Sequence, residues 1–339
     1  MIRQLFVSSR PLSWVNTAFP FAAAYLLVTR EVDATFVIGT LYFLIPYNLA
    51  MYGINDVFDY ESDLRNPRKG GVEGALLDPA VHRITLWAAV ITNIPFLVYL
   101  VIVGTPLSWL VLAISVFAVI AYSAPKLRFK ERPFLDSITS ATHFVSPAVY
   151  GVVLGAGIFA QFWFRPSLWC LLGAFFLWGM ASHAFGAVQD IVADREANIS
   201  SIATVIGAKL TVRLSFFAYV AAGILLLFTL WPGPLAAILL IPYALVVAPF
   251  WNLTDDEAER ANRGWRKFLA LNFVTGFLVT MLLIWFWVLT PCTVTFGWTA
   301  YAPLETRYSG SYAPLTNGTD FGFVGGSPLA QHFSACVSR

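Results

Sequence analysis

The chain predicts an all-α integral membrane protein of nine transmembrane helices, on three observations. Hydrophobic residues make up 58% of its 339 residues, and mean hydropathy is +0.71. Charged residues are only 12%, well below the roughly 25% of a soluble globular domain. Apolar runs of spanning length, about 17–25 residues each, recur along most of the chain.

Those runs fall at 11–29, 34–54, 86–104, 107–123, 134–158, 167–188, 212–230, 234–251 and 269–290. The first is of full spanning length and others follow it, so no cleavable leader is expected. Pro46, Pro95 and Pro147 lie inside runs and predict kinks, because proline frees a carbonyl one turn back. The division that follows is a transmembrane domain over 1–290 and a tail over 291–339. The tail is rich in aromatic and turn-forming residues and has no long apolar run. Cys170 falls in a span and Cys292 and Cys336 in the tail, with neither CxxC nor zinc spacing. The tail cysteines could pair, and the NGT at Asn317 is given no role.

Topology follows from the basic residues, which favour the cytoplasmic side. With Arg3 and Arg10 inside, the loop after span two brings Arg65, Arg68, Lys69 and Arg83 to that side, and the loop after span four brings Lys126, Arg128, Lys130 and Arg132. Arg195, Lys209 and Arg213 follow span six; Arg260, Arg263, Arg266 and Lys267 follow span eight. Only Arg30, Arg165, Arg307 and Arg339 remain outside, along with the tail. A formal charge of +2, spread over many loops, supports no nucleic-acid surface.

Chemistry concentrates where span two ends, at NDVFDYESD. Asp56, Asp59 and Asp63 are spaced i, i+3 and i+7, which places them along one face of a helix and turns Glu61 away. Like charges at a membrane edge repel and are costly to desolvate unless a cation neutralises them. Mg²⁺ takes oxygen ligands, usually one or two carboxylates plus substrate phosphates, so the cluster suggests a diphosphate site. A second cluster, QDIVADREAN, carries Asp190 and Asp194 at i, i+4 after span six. Two clusters at the cytoplasmic ends of spans two and six suggest a parallel internal repeat. Each could hold one metal, clamping a diphosphate whose remaining oxygens meet loop Arg and Lys residues. The loop RNPRKGGVEGALL, with Arg68 and Lys69 beside glycines, could close over the phosphate, although a solvated positive-inside loop reads the same way.

These residues resemble the UbiA-type intramembrane prenyltransferases. NDVFDYESD is similar to that family's NDxxDxxxD signature, Asp190 and Asp194 to its second DxxxD motif, and YSAPKLRFK to its YSxPPxxxK loop, in the same order. The resemblance spans about residues 10–290 and implies a UbiA-like bundle with its active site on the cytoplasmic side. It implies that Asn55, Asp56, Asp59 and Asp63 bind one Mg²⁺, and Asp190 and Asp194 another. Arg68, Lys69, Lys126, Arg128, Lys130 and Arg195 become diphosphate candidates; Lys126 replaces the loop's second proline.

The implied reaction ionises an allylic diphosphate, passes a carbocation into the bundle and captures it with an electron-rich acceptor. Aromatic faces stabilise such a cation, and Tyr47, Tyr52, Phe58, Tyr122, Phe144 and Phe185 lie near the motifs, Tyr122 within the YSAP loop. His183, seven residues before Asp190, is either a proton acceptor or a structural residue, as is His143. The long basic continuation of the first motif resembles the carotenoid-modifying branch, the lycopene elongases of bacteria and archaea. That implies dimethylallyl diphosphate as donor, a carotenoid acceptor and possible partner carotenoid enzymes. Quinone precursors, tetrapyrroles and lipid alcohols are the alternative acceptors. An ion-coupled transporter is the non-enzyme alternative, which would set carboxylates near the bilayer midplane.

Overall fold

In the computed structural model the structure describes residues 1–64, 76–156 and 165–289, without the side chains of Ser62, Asp63 and Leu269. Arg68, Lys69 and the 291–339 tail lie outside the described residues. The chain forms two units, Met1–Ile284 and Trp285–Arg339. Everything below on packing concerns the first.

The described residues are helical and contain no strand. Eight helical stretches are long and apolar enough to cross a membrane, and a ninth is gained if Ile2–Ser13 and Val15–Thr29, bent by 56°, count together. The chain opens with α1 (Ile2–Ser8) and, after a 3₁₀ turn, α2 (Val15–Thr29). α3 (Ala34–Leu44) and α4 (Pro46–Phe58) share the next span, and the short α5 (Tyr60–Asp63) follows. α6 (Pro79–Ile102), α7 (Pro106–Ser123), α8 (Leu135–Ala156) and α9 (Pro166–Val188) come next. After them stand the short α10 (Ile191–Glu196), then α11 (Ile202–Leu226), α12 (Leu240–Val247) and α13 (Asn262–Leu289).

Local chemistry sets the boundaries. Proline opens α4, α6, α7 and α9, where its missing N–H costs nothing. Asp33, Asp78, Thr105 and Ser201 cap α3, α6, α7 and α11 with side-chain oxygens. The Ser201–Thr204 capping box starts α11 at Ile202, well ahead of the expected 212. Gly207 (φ +79°) bends that first turn and a half. Lys209 therefore lies on a helix and not in the loop that hydropathy suggests.

Pro46 stands at the break between α3 and α4, whereas Pro95 and Pro147 lie inside the continuous α6 and α8. Pro147 leaves the His143 carbonyl without its helical partner, and the Tyr47 hydroxyl donates to it at 3.4 Å. The break before Pro46 is closed by Asn48, whose amide donates to the Phe43 and Leu44 carbonyls (2.8 and 3.1 Å) and to Thr17 Oγ1 (2.7 Å). Asn48→Ala removes a wholly buried amide and the hydrogen bonds it donates, and is expected to cost about 2 kcal/mol. A melting curve matching the wild type in detergent would refute this.

α2 packs on α8, α8 on α7 and α9, α9 on α11, and α4 on α6. One aromatic core gathers Phe21, Tyr42, Phe43, Tyr47 and Tyr150; another gathers Phe185, Tyr219, Tyr243 and Phe268. The outer faces stay apolar, as with Trp87, Ile91, Ile94 and Val98 along α6, which suits hydrocarbon and not water.

Candidate active site

Both acidic motifs stand where a helix breaks. α4 ends at Phe58 with Asp59 as its C-cap (φ −100°, ψ −1°), and the chain restarts as α5. α9 ends at Val188, and Asp190 (φ −97°, ψ −3°) caps the start of α10, whose first turn carries Asp194. The single unbroken helix assumed for Asp56, Asp59 and Asp63 is therefore interrupted at the middle carboxylate. At this break the Asp59 carboxylate is held by side-chain partners from the α4 end and the basic loop. Asp63 ends α5; its side chain lies outside the described residues.

Asp56 and Asp59 are both buried and both held by cations. Arg10 Nη2 lies 2.9 Å from Asp56 Oδ1, and Ser8 Oγ donates to Asp56 Oδ2 at 2.9 Å. The Arg10 guanidinium also stacks 4.3 Å over the Tyr52 ring. Asp59 Oδ1 forms an ion pair with Lys130, with Arg128 Nη2 at 3.8 Å. Asn55 Nδ2 bridges Asp59 Oδ2 (2.7 Å) and Ser123 Oγ (2.9 Å), tying the break after α4 to the end of α7. Arg128 also pairs with Glu131, and each holds the other charged.

Lys130 shows how the two motifs relate. Burial pushes its ammonium down to about 8, while the carboxylates of Glu131, Asp194 and Asp56 oppose that shift. One ammonium thus feels an aspartate from each motif, so the clusters converge on the same basic loop. The Arg195 guanidinium turns elsewhere, to Asp255 Oδ2 at 2.7 Å and the Thr204 carbonyl at 2.8 Å. Asp255 Oδ1 accepts from Ala208 N at 2.7 Å beside the Gly207 bend, so Arg195 braces α10 against α11. Lys126 is exposed on the loop with φ +73°.

Below the carboxylates lies a second polar group. Tyr122 Oη and His183 Nε2 are 3.1 Å apart, and His183 Nδ1 and Ser137 Oγ are 3.1 Å apart. The Tyr122 ring meets His143 edge-on with centroids 5.2 Å apart. Asp136, wholly buried, accepts from the backbone N–H groups of Ser137 (2.7 Å) and Ile202 (2.8 Å). Of the other aromatics singled out, Tyr47 and Phe185 are wholly buried in the two cores.

Ser123, from the YSAP motif, joins these groups, and Ser8, Arg10, Asp136 and Ser137 complete them without any motif having named them. A basic residue just ahead of a first span and an acid just inside a fifth were the available signals. Among the described residues, no three acidic, histidine or cysteine side chains form a ready metal cage. The donor set nevertheless fits Mg²⁺: carboxylates and one carboxamide are hard oxygen donors, and this ion draws much of its shell from water and phosphate. That Asp56 and Asp59 each hold a cation shows the positive charge the site demands.

Paired acidic breaks facing one basic loop, within a bundle of membrane spans, define an intramembrane prenyltransferase. The chain belongs to the UbiA prenyltransferase family, whose model matches residues 17–274. It is 58% identical over 287 residues to the lycopene elongase/hydratase of Corynebacterium glutamicum, covering 84% of this chain and 97% of that protein. The lycopene elongase/hydratase of Haloferax volcanii is 30% identical over 83% of this chain and 88% of its own length. A UbiA homolog from Archaeoglobus fulgidus, solved with DMAPP and Mg²⁺ bound, shares the fold at a TM-score of 0.57 and 17% identity, over 80% of this chain and 98% of that one.

Proposed function

We propose that the protein is a Mg²⁺-dependent prenyltransferase that moves the prenyl group of dimethylallyl diphosphate onto an end of lycopene or a related carotenoid. The observation that carries this reading is the 58% identity to a lycopene elongase/hydratase across nearly all of that protein. The donor's C–O bond breaks, diphosphate leaves with the electron pair, and the allylic cation is attacked by a C=C of the acceptor. A new C–C bond forms, and the acceptor cation then loses a proton or captures water.

In this reading Asn55, Asp56, Asp59 and Asp63 hold one metal ion and Asp190 and Asp194 another. When bound, Mg²⁺ supplies Lewis-acid stabilisation of the leaving diphosphate. Lys130 and Arg128 are best situated among the cations, since both already reach Asp59 and can turn to an anion seated beside it. Arg68, Lys69 and Lys126 join them from the loops, and Arg195 contributes charge while bracing α10. The Tyr122 face meets the cation where it forms. The motifs face the cytoplasm, as the bias of basic residues supports. Residues 1–290 form the catalytic domain, the 291–339 tail is extracytoplasmic, and carotenoid enzymes acting before or after this step are its partners.

Expression in a lycopene-producing bacterium tests this, with pigments followed by chromatography and mass spectrometry. Gains of one or two five-carbon units are expected, with or without water, and a chain ending at residue 290 should retain them. Unmodified lycopene beside correctly inserted protein would sink the carotenoid reading and direct attention to quinone precursors, tetrapyrroles or lipid alcohols. An inactive but folded truncation would overturn the domain division.

A further inference from the structure

We infer that Tyr122 and His183 together accept the proton that prenyl transfer releases, with Ser137 and Asp136 as positioning residues. The inference rests on the alkene-acceptor reading above. Attack by an alkene leaves a cation on the acceptor. To finish, an adjacent C–H bond must break and give its electron pair to a new C=C, or captured water must lose an O–H proton. Either way one proton needs a base inside a bundle lined by hydrocarbon side chains.

Asp56 and Asp59 do not serve, being engaged with cations at the first helix break. His143 is a poor candidate: it is 3% exposed, and its Nε2 is fully enclosed. Tyr122 and His183 are different, because each keeps part of its surface accessible. Both also lie on the membrane side of the motifs. Tyr122 precedes Ser123, which holds Asn55, and His183 sits about a turn and a half before α9 ends. A donor whose diphosphate rests among the carboxylates and Lys130 must extend its hydrocarbon end past them.

The hydrogen bonds give the proton a route. With Nδ1–H donating to Ser137 Oγ, the lone pair of Nε2 receives the Tyr122 hydroxyl. As Tyr122 Oη takes a proton from substrate, its own proton passes to Nε2, leaving a neutral phenol and an imidazolium. Asp136 answers that charge. Its carboxylate is pinned by two backbone N–H groups and interacts electrostatically with both His183 and Tyr122. Arg10 between α1 and α2, Asp194 on α10 and Tyr52 on α4 also act on Tyr122. One hydrogen bond orients the imidazole while its other nitrogen faces the reacting hydroxyl, as general-base catalysis requires.

The test uses the full chain in membranes with Mg²⁺, dimethylallyl diphosphate and lycopene, comparing His183→Gln, Tyr122→Phe, Ser137→Ala and Ser137→Thr. Gln keeps a hydrogen-bonding group at 183 without basicity. For His183→Gln and Tyr122→Phe, kcat is expected to fall about 100-fold or more, with donor KM within about twofold. The ratio of alkene to hydroxylated product should also fall, because breaking the C–H bond needs the positioned base, whereas captured water can pass its proton to further water. Ser137→Ala should lose less, and Ser137→Thr should recover most of it. Unchanged kcat and product ratio would overturn the inference and leave the departing diphosphate as the base. Loss of kcat with a parallel rise in donor KM and an unchanged ratio would also overturn it, marking a packing role. A wild-type chain inactive on lycopene, yet active on another acceptor, would remove the alkene reading and this inference with it.

Discussion

Asp59→Ala is expected to give an inserted, folded protein that turns over at about a thousandth of the wild-type rate or less, the scale on which loss of a group stabilising transition-state charge is felt. The Asp59 carboxylate sits at the corner between α4 and α5, buried, and is the shared partner of Asn55, Lys130 and Arg128. In the proposed site its removal takes away a metal ligand and releases the cations from their alignment, so both the Lewis acid and its neighbouring charges would be lost together. The fold should survive. Lys130 has already been pushed to about 8 by burial, so shedding its proton near neutral pH is easy, and Glu131 stands beside it. Asp190→Ala should match this loss, because Asp190 occupies the corresponding break after α9. Size-exclusion elution and melting temperature in detergent, measured beside diphosphate release, separate chemistry from folding. Near-full diphosphate release by both variants would refute the assignment of these two carboxylates.

The bundle was legible because bilayer thickness imposes a length on every span and proline or a capping residue marks most ends. Acidic clusters beside basic loops were legible for a related reason: charge at the end of an apolar run must be compensated, so it announces itself. What one-dimensional spacing could not reveal was the break at each cluster. A helical wheel places Asp56, Asp59 and Asp63 on one face, whereas the backbone turns at Asp59, where Asn55, Arg128 and Lys130 hold the carboxylate. Nor could it separate Arg195 from Arg128 and Lys130, the cations that reach the first acidic motif. Arg195 lies one residue beyond Asp194, yet its partner is Asp255, brought close only by the Gly207 bend. Tyr122, Ser137 and His183 come from α7, α8 and α9, so their hydrogen-bonded line exists only once those helices pack.

Arg10 is the sharpest case of a site residue without a motif, and Arg10→Ala is the second large effect expected. Its guanidinium pairs with a fully buried Asp56 side chain while lying over Tyr52. Removing one partner of a buried pair leaves an uncompensated charge, at a cost of about 3–5 kcal/mol. The loss should show first as a lower melting temperature and second as reduced turnover, since α1 is tied to α4 through Ser8 and Arg10. Arg10→Lys restores the charge but neither the planar fork nor the stacking, so it should fall between the wild type and Arg10→Ala. Mg²⁺ offers a discriminating control. If Asp56 is a metal ligand, the divalent ion substitutes for the missing guanidinium, and raising its concentration should lift the melting temperature of Arg10→Ala more than that of the wild type. Equal shifts in the two proteins would mean that the Arg10–Asp56 pair is structural and lies apart from the metal, whereas the larger shift joins the N-terminal helix to the catalytic site.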